Sequence, residues 1–165
     1  MLDLIIKNAR VVRPNKTSVD LLDLGIKDGK FEKISPSINP EEAKEVFEAK
    51  NLLAFPGLVD AHMHTGIYSP LAKDAVTESK AAAMGGVTSS LNYMRTGKYY
   101  LYETGPYDEF FPKVLKASDG NFWVDYSYHL APIMHAHREE MELLIEKYGV
   151  TSFKIFMFYG SHGLH

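Results

Sequence analysis

Cysteine is absent from the 165-residue sequence, which excludes disulfide bonds and thiolate metal sites. Charge of one sign is not in large excess, because 18 Lys and Arg oppose 21 Asp and Glu for a net charge of −3. We therefore expect no nucleic acid and no membrane as partner. No apolar run is long enough to span a bilayer, and MLDLIIKNARVVRP is unlike a signal peptide. These absences favour a cytoplasmic globular protein.

The first third of the sequence has the pattern of β-strands. Residues 2–12 and 20–34 are rich in Val, Ile and Leu, and Asp28-Gly29 inside the second run predicts a two-residue hairpin turn. Residues 45–57 return to an extended pattern that closes with Pro-Gly. We predict that residues 1–54 form a small β module with no chemistry of its own.

From Phe55 onward, short apolar runs alternate with helical patterns. The predicted strands are 58–64, 87–94, 122–133 and 150–160, and the predicted helices are 69–86, 107–120 and 137–149. Four strands alternating with three helices predict parallel βαβ units. A parallel strand needs a neighbour and cover on both faces, so we expect this chain to be part of a larger fold or to be completed by another chain.

Two histidines end the first strand of this region, in PGLVDAHMHTG. Residues i and i+2 of a strand project from one face, so His62 and His64 are predicted to lie side by side at the strand's carboxyl end. Neutral imidazoles in that arrangement suit a divalent metal. The alternative is a pair of ordinary, partly buried histidines. His135 and His137 have the same spacing but precede charged residues, and we expect them to be solvated loop histidines.

Lys154 lies in the apolar stretch SFKIFMFYG. Inside a covered strand an unpaired ammonium would cost several kcal/mol, so the ordinary interpretation is a lysine that reaches solvent from the strand end. A neutral amine near metal cations has another possibility, because it can add carbon dioxide and become an anionic carbamate that bridges two metals.

These motifs carry a family resemblance. PGLVDAHMH resembles the PGxxDxHxH signature of the amidohydrolase superfamily, and SFKIFMFYG is similar to the carboxylated-lysine strand of its cyclic amidohydrolases, the hydantoinase and dihydropyrimidinase group. DYSYHLAP and the N-terminal segment also resemble that group. The resemblance covers nearly the whole chain. It implies an α/β fold, with part of a β-sandwich domain over 1–54 and the incomplete first half of a (β/α)8 barrel over 55–165.

By this resemblance, His62 and His64 bind the more buried of two divalent metals, usually zinc, and Lys154 bridges both as a carbamate. The metals would turn a bridging water into hydroxide, which attacks a cyclic amide and opens its C–N bond. Tyr159 matches the family tyrosine whose hydroxyl binds the substrate and stabilises the oxyanion. The resemblance also implies a small-molecule cyclic amide substrate and a homo-oligomer.

Two nearby residues receive no ligand role. His129 matches a family position that is not a ligand, and we expect a core histidine with satisfied hydrogen bonds. Asp60 shares a face with His62 and could orient its ring, or it could have a structural role at the base of the strand.

The sequence also departs from the family. After His64 it continues Thr65-Gly66-Ile67-Tyr68, without the arginine or acidic residue of dihydroorotase and allantoinase relatives, so the substrate within the cyclic amide class stays open. The family's two later histidines and its late aspartate have no counterpart here. We expect this chain by itself to be inactive, and the rest of the barrel to come from a C-terminal segment or a second chain.

Two alternatives remain at this stage. One is a non-catalytic scaffold or assembly subunit on the same fold, although a scaffold has no reason to keep Lys154 among phenylalanines. The other is a small flavodoxin-like binding domain, which is disfavoured because HMHTGIYSP cannot serve as a glycine-rich phosphate loop.

Overall fold

The computed structural model describes residues 1–96 and 103–157. The chain divides into two compact units, Met1–Pro56 and Gly57–His165. The first unit contains β1 (Leu2–Val11), β2 (Asp20–Lys27), β3 (Lys30–Ser35), β4 (Ala43–Glu48) and β5 (Leu53–Ala54). The second contains β6 (Leu58–His64), α1 (Leu71–Met84), β7 (Val87–Met94), α2 (Tyr107–Ser118), β8 (Asp125–Leu130), α3 (His135–Glu139) and α4 (Met141–Tyr148).

The first unit is one mixed sheet in the order β3-β2-β1-β4, with β5 also paired to β1. β2 is antiparallel to both β1 and β3, whereas β4 and β5 run parallel to β1. Asp28 and Gly29 connect β2 to β3 with φ angles of 49° and 72°. Both angles are positive, as a type I′ turn requires, so the predicted hairpin is confirmed.

A buried carboxylate links the strands of this sheet. Asp23 is 2% exposed and accepts hydrogen bonds from the Lys7 ammonium at 2.7 Å and from the backbone N–H groups of Asn8 and Ile38 at 2.8 and 2.9 Å. Burial opposes ionisation of Asp23, but Lys7 and the two N–H donors outweigh it and lower its pKa. The ion pair therefore fixes β1, β2 and the segment before β4 to one another.

Apolar side chains are exposed on the outer strands of the first unit. They are Phe31 and Ile34 on β3, Val46 and Phe47 on β4, and Leu53 on β5. Exposed apolar side chains of this kind are typical of surface that further protein covers.

The second unit is a three-stranded parallel sheet in the order β6-β7-β8, with helices in the connections. The predicted parallel βαβ units are confirmed for these three strands, and the chain is of the mixed α/β class. Its core packs residues of α1, α2 and α4 against β7 and β8, namely Leu71, Tyr93, Met94, Tyr107, Phe110, Phe111, Val114, Tyr128, Leu130 and Leu144.

Gly57 shows why Pro-Gly precedes β6. A Cβ at this position would collide with the side chain of Thr88 on β7. Glycine therefore lets the two strands pair closely from their first residues, where the N–H of Leu58 donates to the Gly86 carbonyl at 3.0 Å. This contact fixes the start of the strand that ends in the two histidines.

Two helix and strand predictions need correction. The helix predicted over 137–149 is two helices that meet at Glu140, whose carboxylate accepts the N–H groups of Tyr107 and Asp108 at the start of α2. The strand predicted over 150–160 is, in its described part, a single bridge between Phe153 and Leu130.

Within the described ranges, each helix is too short or too polar to cross a membrane.

Candidate metal centre

Three histidines meet at the carboxyl end of the parallel sheet. His62 and His64 end β6, and His129 lies near the end of β8. The strand register pairs His64 with Tyr93 on β7, and Tyr93 with His129. Paired residues of parallel strands project from the same face, so this register brings the three imidazoles together.

The rings of His62 and His64 converge at their Nε2 atoms. These atoms are 3.0 Å apart, the ring centres are 5.0 Å apart, and the ring planes are inclined at 71°. A zinc-type ion about 2.1 Å from each nitrogen fits this separation, with an angle of about 90–95° at the ion. The predicted side-by-side arrangement is confirmed, and the two residues fit a metal. Their role as ligands stays a prediction.

His129 contacts the other nitrogen of His62. Its Nε2 atom lies 2.8 Å from His62 Nδ1, and the ring centres are 4.6 Å apart. His129 is 8% exposed, so the expectation of a buried, hydrogen-bonded histidine is confirmed. Its partner was not expected from the sequence, because the contact depends on the register of three strands.

The histidines do not form a three-residue metal site. His129 approaches Nδ1 of His62, whereas His64 approaches Nε2. Within residues 1–96 and 103–157, no three His, Asp or Glu side chains are placed to bind one metal together. A complete centre therefore needs donors other than unmodified residues of the described ranges.

Tyr93 packs beside the histidines and was missed by the sequence argument. Its ring centre lies 4.9 Å from that of His64, 6.0 Å from that of His62 and 6.2 Å from that of His129. The tyrosine is 1% exposed. Its position one residue before the end of a predicted parallel strand, where active sites lie, is the signal that could have identified it.

The environment keeps the imidazoles neutral. Partial burial is the largest cause that lowers the pKa of all three histidines. The charge of Lys154 and, for His64 and His129, the neighbouring His62 lower the pKa further. A neutral imidazole has a free lone pair, so His62 and His64 can bind a metal near neutral pH.

Lys154 lies near enough to the three imidazoles for its charge to lower the pKa of each. Its backbone N–H donates to the carbonyl of Leu130 at 2.9 Å, which holds residues 153–154 beside the end of β8. Its ammonium lies 5.5 Å from the centre of the Phe156 ring, and that ring lies 5.7 Å from the ring of Tyr93. Phe156 therefore connects the lysine to the aromatic ring that packs against the histidines.

The sequence argument considered Lys154 inside a strand covered on both faces, and this expectation of burial is wrong for the described residues. Lys154 is only half-buried, and its neighbours Ile155 and Met157 are 73% and 96% exposed. The described part of this segment is held by one bridge, so its other edge has no paired strand within residues 103–157. Burial by itself gives no reason for modification of this amine, and its nearness to the imidazoles is the remaining argument.

Asp60 acts on the backbone of β6 rather than on a ring. Its Oδ1 accepts a hydrogen bond from the backbone N–H of His62 at 3.0 Å. The pairing of β6 with β7 is irregular between Asp60 and Met63. Asp60 therefore supports the strand just where the register shifts, which fits the structural alternative better than a direct contact with the His62 ring.

A second feature missed by the sequence argument is a buried polar pair behind the histidines. Thr65 Oγ1 donates to Asn92 Oδ1 at 2.6 Å, and Asn92 donates to Ser90 Oγ at 3.1 Å. Thr65 and Asn92 are both fully buried. The pair fixes the residue after His64 to the neighbouring strand.

The other histidine pair divides into an exposed and a buried member. His135 is exposed, and its Nδ1 lies 3.3 Å from Oε1 of Glu139. His137 is fully buried: its Nδ1 accepts the N–H of Ile133 at 3.2 Å and its Nε2 donates to the Gly105 carbonyl at 2.9 Å. The expectation of a solvated residue is therefore wrong for His137, and both of its ring nitrogens are used by the backbone rather than by a metal.

Tyr159, the predicted oxyanion-stabilising residue, lies outside the described residues. Its role stays a prediction from the family resemblance.

Comparison with known proteins identifies the family. The D-hydantoinase of Ralstonia pickettii is 32% identical over 163 residues, which cover 96% of this chain and 34% of that protein. The dihydropyrimidinase of Dictyostelium discoideum is 32% identical over 164 residues, covering 94% and 31%. Over the length that it spans, the chain belongs to the hydantoinase and dihydropyrimidinase group. No family model matches the chain.

Solved structures of this group share the fold. The dihydropyrimidinase of Brevibacillus agri matches with a TM-score of 0.79 and 28% identity, over 97% of this chain and 34% of that one. The L-hydantoinase of Arthrobacter aurescens matches with a TM-score of 0.75 and 27% identity, over 95% and 33%. The resemblance seen in the motifs is thus confirmed, and the chain spans about a third of the length of these relatives.

Proposed function

We propose that this chain forms the front part of a metal-dependent hydrolase that opens a C–N bond in a cyclic amide, imide or ureide. The observation that carries the proposal is the convergence of His62 and His64, whose Nε2 atoms are 3.0 Å apart at the carboxyl end of a parallel sheet. Active sites of barrels built from parallel βα units lie at that end of the sheet.

The donor set fits two divalent metals, with zinc as the first choice. His62 and His64 supply neutral nitrogens for one metal, and Lys154, as a carbamate, would supply oxygens to both. When bound, the metals supply an acidified water as the nucleophile. Burial is the largest cause that lowers the pKa of both His62 and His64, and it favours the neutral form that binds a metal.

The substrate class follows from the relatives. Their names are D-hydantoinase, L-hydantoinase and dihydropyrimidinase, which point to a small cyclic ureide. Tyr159 would bind that substrate and donate a hydrogen bond to the oxyanion that forms at the attacked carbonyl. The residues after His64 differ from the usual continuation, so the ring substituent that this protein accepts is a matter for direct assay.

The remaining ligands would come from the rest of a (β/α)8 barrel, supplied by a further segment or a second chain. The exposed start of β6 supports this: Leu58 and Val59 are 58% and 71% exposed on a strand at the edge of the described sheet. The uncovered apolar side chains of β3, β4 and β5 likewise fit a β-sandwich that further chain completes. We place the assembled homo-oligomeric enzyme in the cytoplasm.

The test is a ring-opening assay on the assembled protein, that is, this chain with the segment or partner that supplies the remaining ligands. After zinc loading, dihydrouracil and a set of 5-substituted hydantoins are offered, and the carbamoyl product is measured. We expect hydrolysis of at least one ring that is lost with a chelator and restored by zinc. A protein that assembles and folds but opens none of these rings and binds no metal would instead be a scaffold.

A further inference from the structure

The ring of His62 has two different histidine partners. Its Nε2 faces His64 at 3.0 Å, and its Nδ1 faces the Nε2 of His129 at 2.8 Å. We propose that His129 is a positioning residue that holds His62 in the orientation and tautomer in which Nε2 is free to bind a metal. This inference rests on the proposed function.

If a metal binds His62 through Nε2, the hydrogen-bond inventory of imidazole sets the direction of its contact with His129. A neutral ring carries one N–H and one lone pair. If the His62 lone pair is at Nε2, where the metal would bind, its proton is at Nδ1 and is donated to His129 Nε2. His129 then carries its own proton on Nδ1. The tautomers of the two rings are therefore linked through one hydrogen bond.

The strand register makes His129 a rigid partner. His129 is paired with Tyr93 on β7, which is in turn paired with His64 on β6. The ring of Tyr93 lies edge-on to that of His129 at 6.2 Å, and His129 is 8% exposed. A buried side chain held between strand neighbours has little rotamer freedom, so it can fix the ring that it contacts.

Asp60, the other residue considered for this role, is already engaged elsewhere. Its carboxylate accepts the backbone N–H of His62 at 3.0 Å rather than the ring N–H. His129 is thus an uncharged acceptor at a place where a carboxylate often orients a metal-binding histidine. An uncharged acceptor adds no negative charge beside the metals.

The first experiment reads the tautomer without any metal. Long-range ¹H–¹⁵N spectra of the metal-free protein are recorded for the unaltered chain, His129→Leu and His129→Gln. We expect His62 to be the Nδ1–H tautomer in the unaltered chain and in His129→Gln, whose amide oxygen can accept in place of Nε2. His129→Leu should shift His62 toward Nε2–H. An Nε2–H tautomer of His62 in the unaltered chain would overturn the inference whether or not the protein is an enzyme.

The second experiment measures zinc affinity of the assembled protein by competition with a chromophoric chelator. His129→Leu should weaken binding by about 10- to 100-fold, as loss of a residue that orients a metal ligand typically does, and His129→Gln should stay within about three-fold. His135→Gln, at an exposed histidine, is the matched control. Circular dichroism confirms that each variant is folded.

The outcomes separate the two claims. If the unaltered protein binds zinc and folded His129→Leu binds it with equal affinity, the role of His129 is overturned and the proposed function stays intact. Equal losses in folded His129→Leu and His129→Gln would also contradict it, because an acceptor at this position would not matter. Absence of zinc binding in the unaltered protein would contradict the proposed function, while the tautomer spectra would still decide whether His129 orients His62.

Discussion

The Nε2 atoms of His62 and His64 lie 3.0 Å apart, on residues that a strand places on one face. Replacing either residue with alanine removes a nitrogen donor, so zinc affinity of the assembled protein should fall by about 100-fold or more. Metal analysis after equilibrium dialysis measures the change. His135→Ala removes an exposed histidine and should retain zinc, and a similar loss in this control would show that the metal is bound elsewhere.

The lowered pKa values of His62, His64 and His129 predict a pH dependence of stability in the metal-free protein. Burial, the largest cause in each case, lowers the pKa in the folded state below the value of about 6.5 expected in the unfolded chain. Between the two values the unfolded chain binds more protons, so the free energy of unfolding should fall as pH drops through about 6.5. Urea titrations between pH 5 and 8 measure this slope.

A double variant provides the comparison for that titration. His62→Asn with His64→Asn removes two of the three groups and should give a shallower decline over the same pH range. An unchanged slope would mean that other groups govern the pH dependence.

The buried ion pair of Asp23 and Lys7 is expected to contribute to the stability of the first unit. Asp23→Asn removes the charge that pairs with Lys7 in a buried position, and should lower the free energy of unfolding by about 2–4 kcal/mol. Asp3→Asn is the matched control, because Asp3 pairs with Lys44 at the surface and should change stability much less. Thermal or urea denaturation distinguishes them, and equal effects would contradict a special role for the buried pair.

The hydrogen bond between Thr65 and Asn92 is expected to affect both the stability of the fold and zinc binding by the neighbouring histidines. Thr65→Val leaves the buried Asn92 Oδ1 without the hydroxyl that now donates to it at 2.6 Å, at a cost of about 1–3 kcal/mol. Because Thr65 follows His64 directly, we also expect weaker zinc binding. Thr77→Val on the exposed face of α1 should change neither quantity. Normal stability of Thr65→Val would show that Asn92 finds another donor.

The local features were predictable from sequence. The side-by-side histidines follow from the two-residue period of β6, and the hairpin at Asp28-Gly29 follows from the backbone preferences of those two residues. Both depend only on residues adjacent in the chain. The family was predictable as well, because each of its motifs is a contiguous stretch of sequence and the motifs follow one another in the order that the family has.

The features that were missed depend on contacts between distant residues. His129 contacts His62 because β6, β7 and β8 pair in a particular register, which composition does not reveal. The helix predicted across Glu140 is interrupted where that residue's carboxylate meets the N-terminus of α2. The strand predicted around Lys154 needs a neighbour on its far edge, and the described residues do not provide one.

The most direct test of the proposed metal centre is Lys154→Ala in the assembled protein, assayed with and without small carboxylic acids such as acetate and propionate. A bridging carbamate predicts that the variant loses ring-opening activity and holds fewer than the two metals per site expected in the unaltered protein. It also predicts that an added carboxylate partly restores activity. A Lys154→Ala enzyme that retains full rate and both metals would contradict the account.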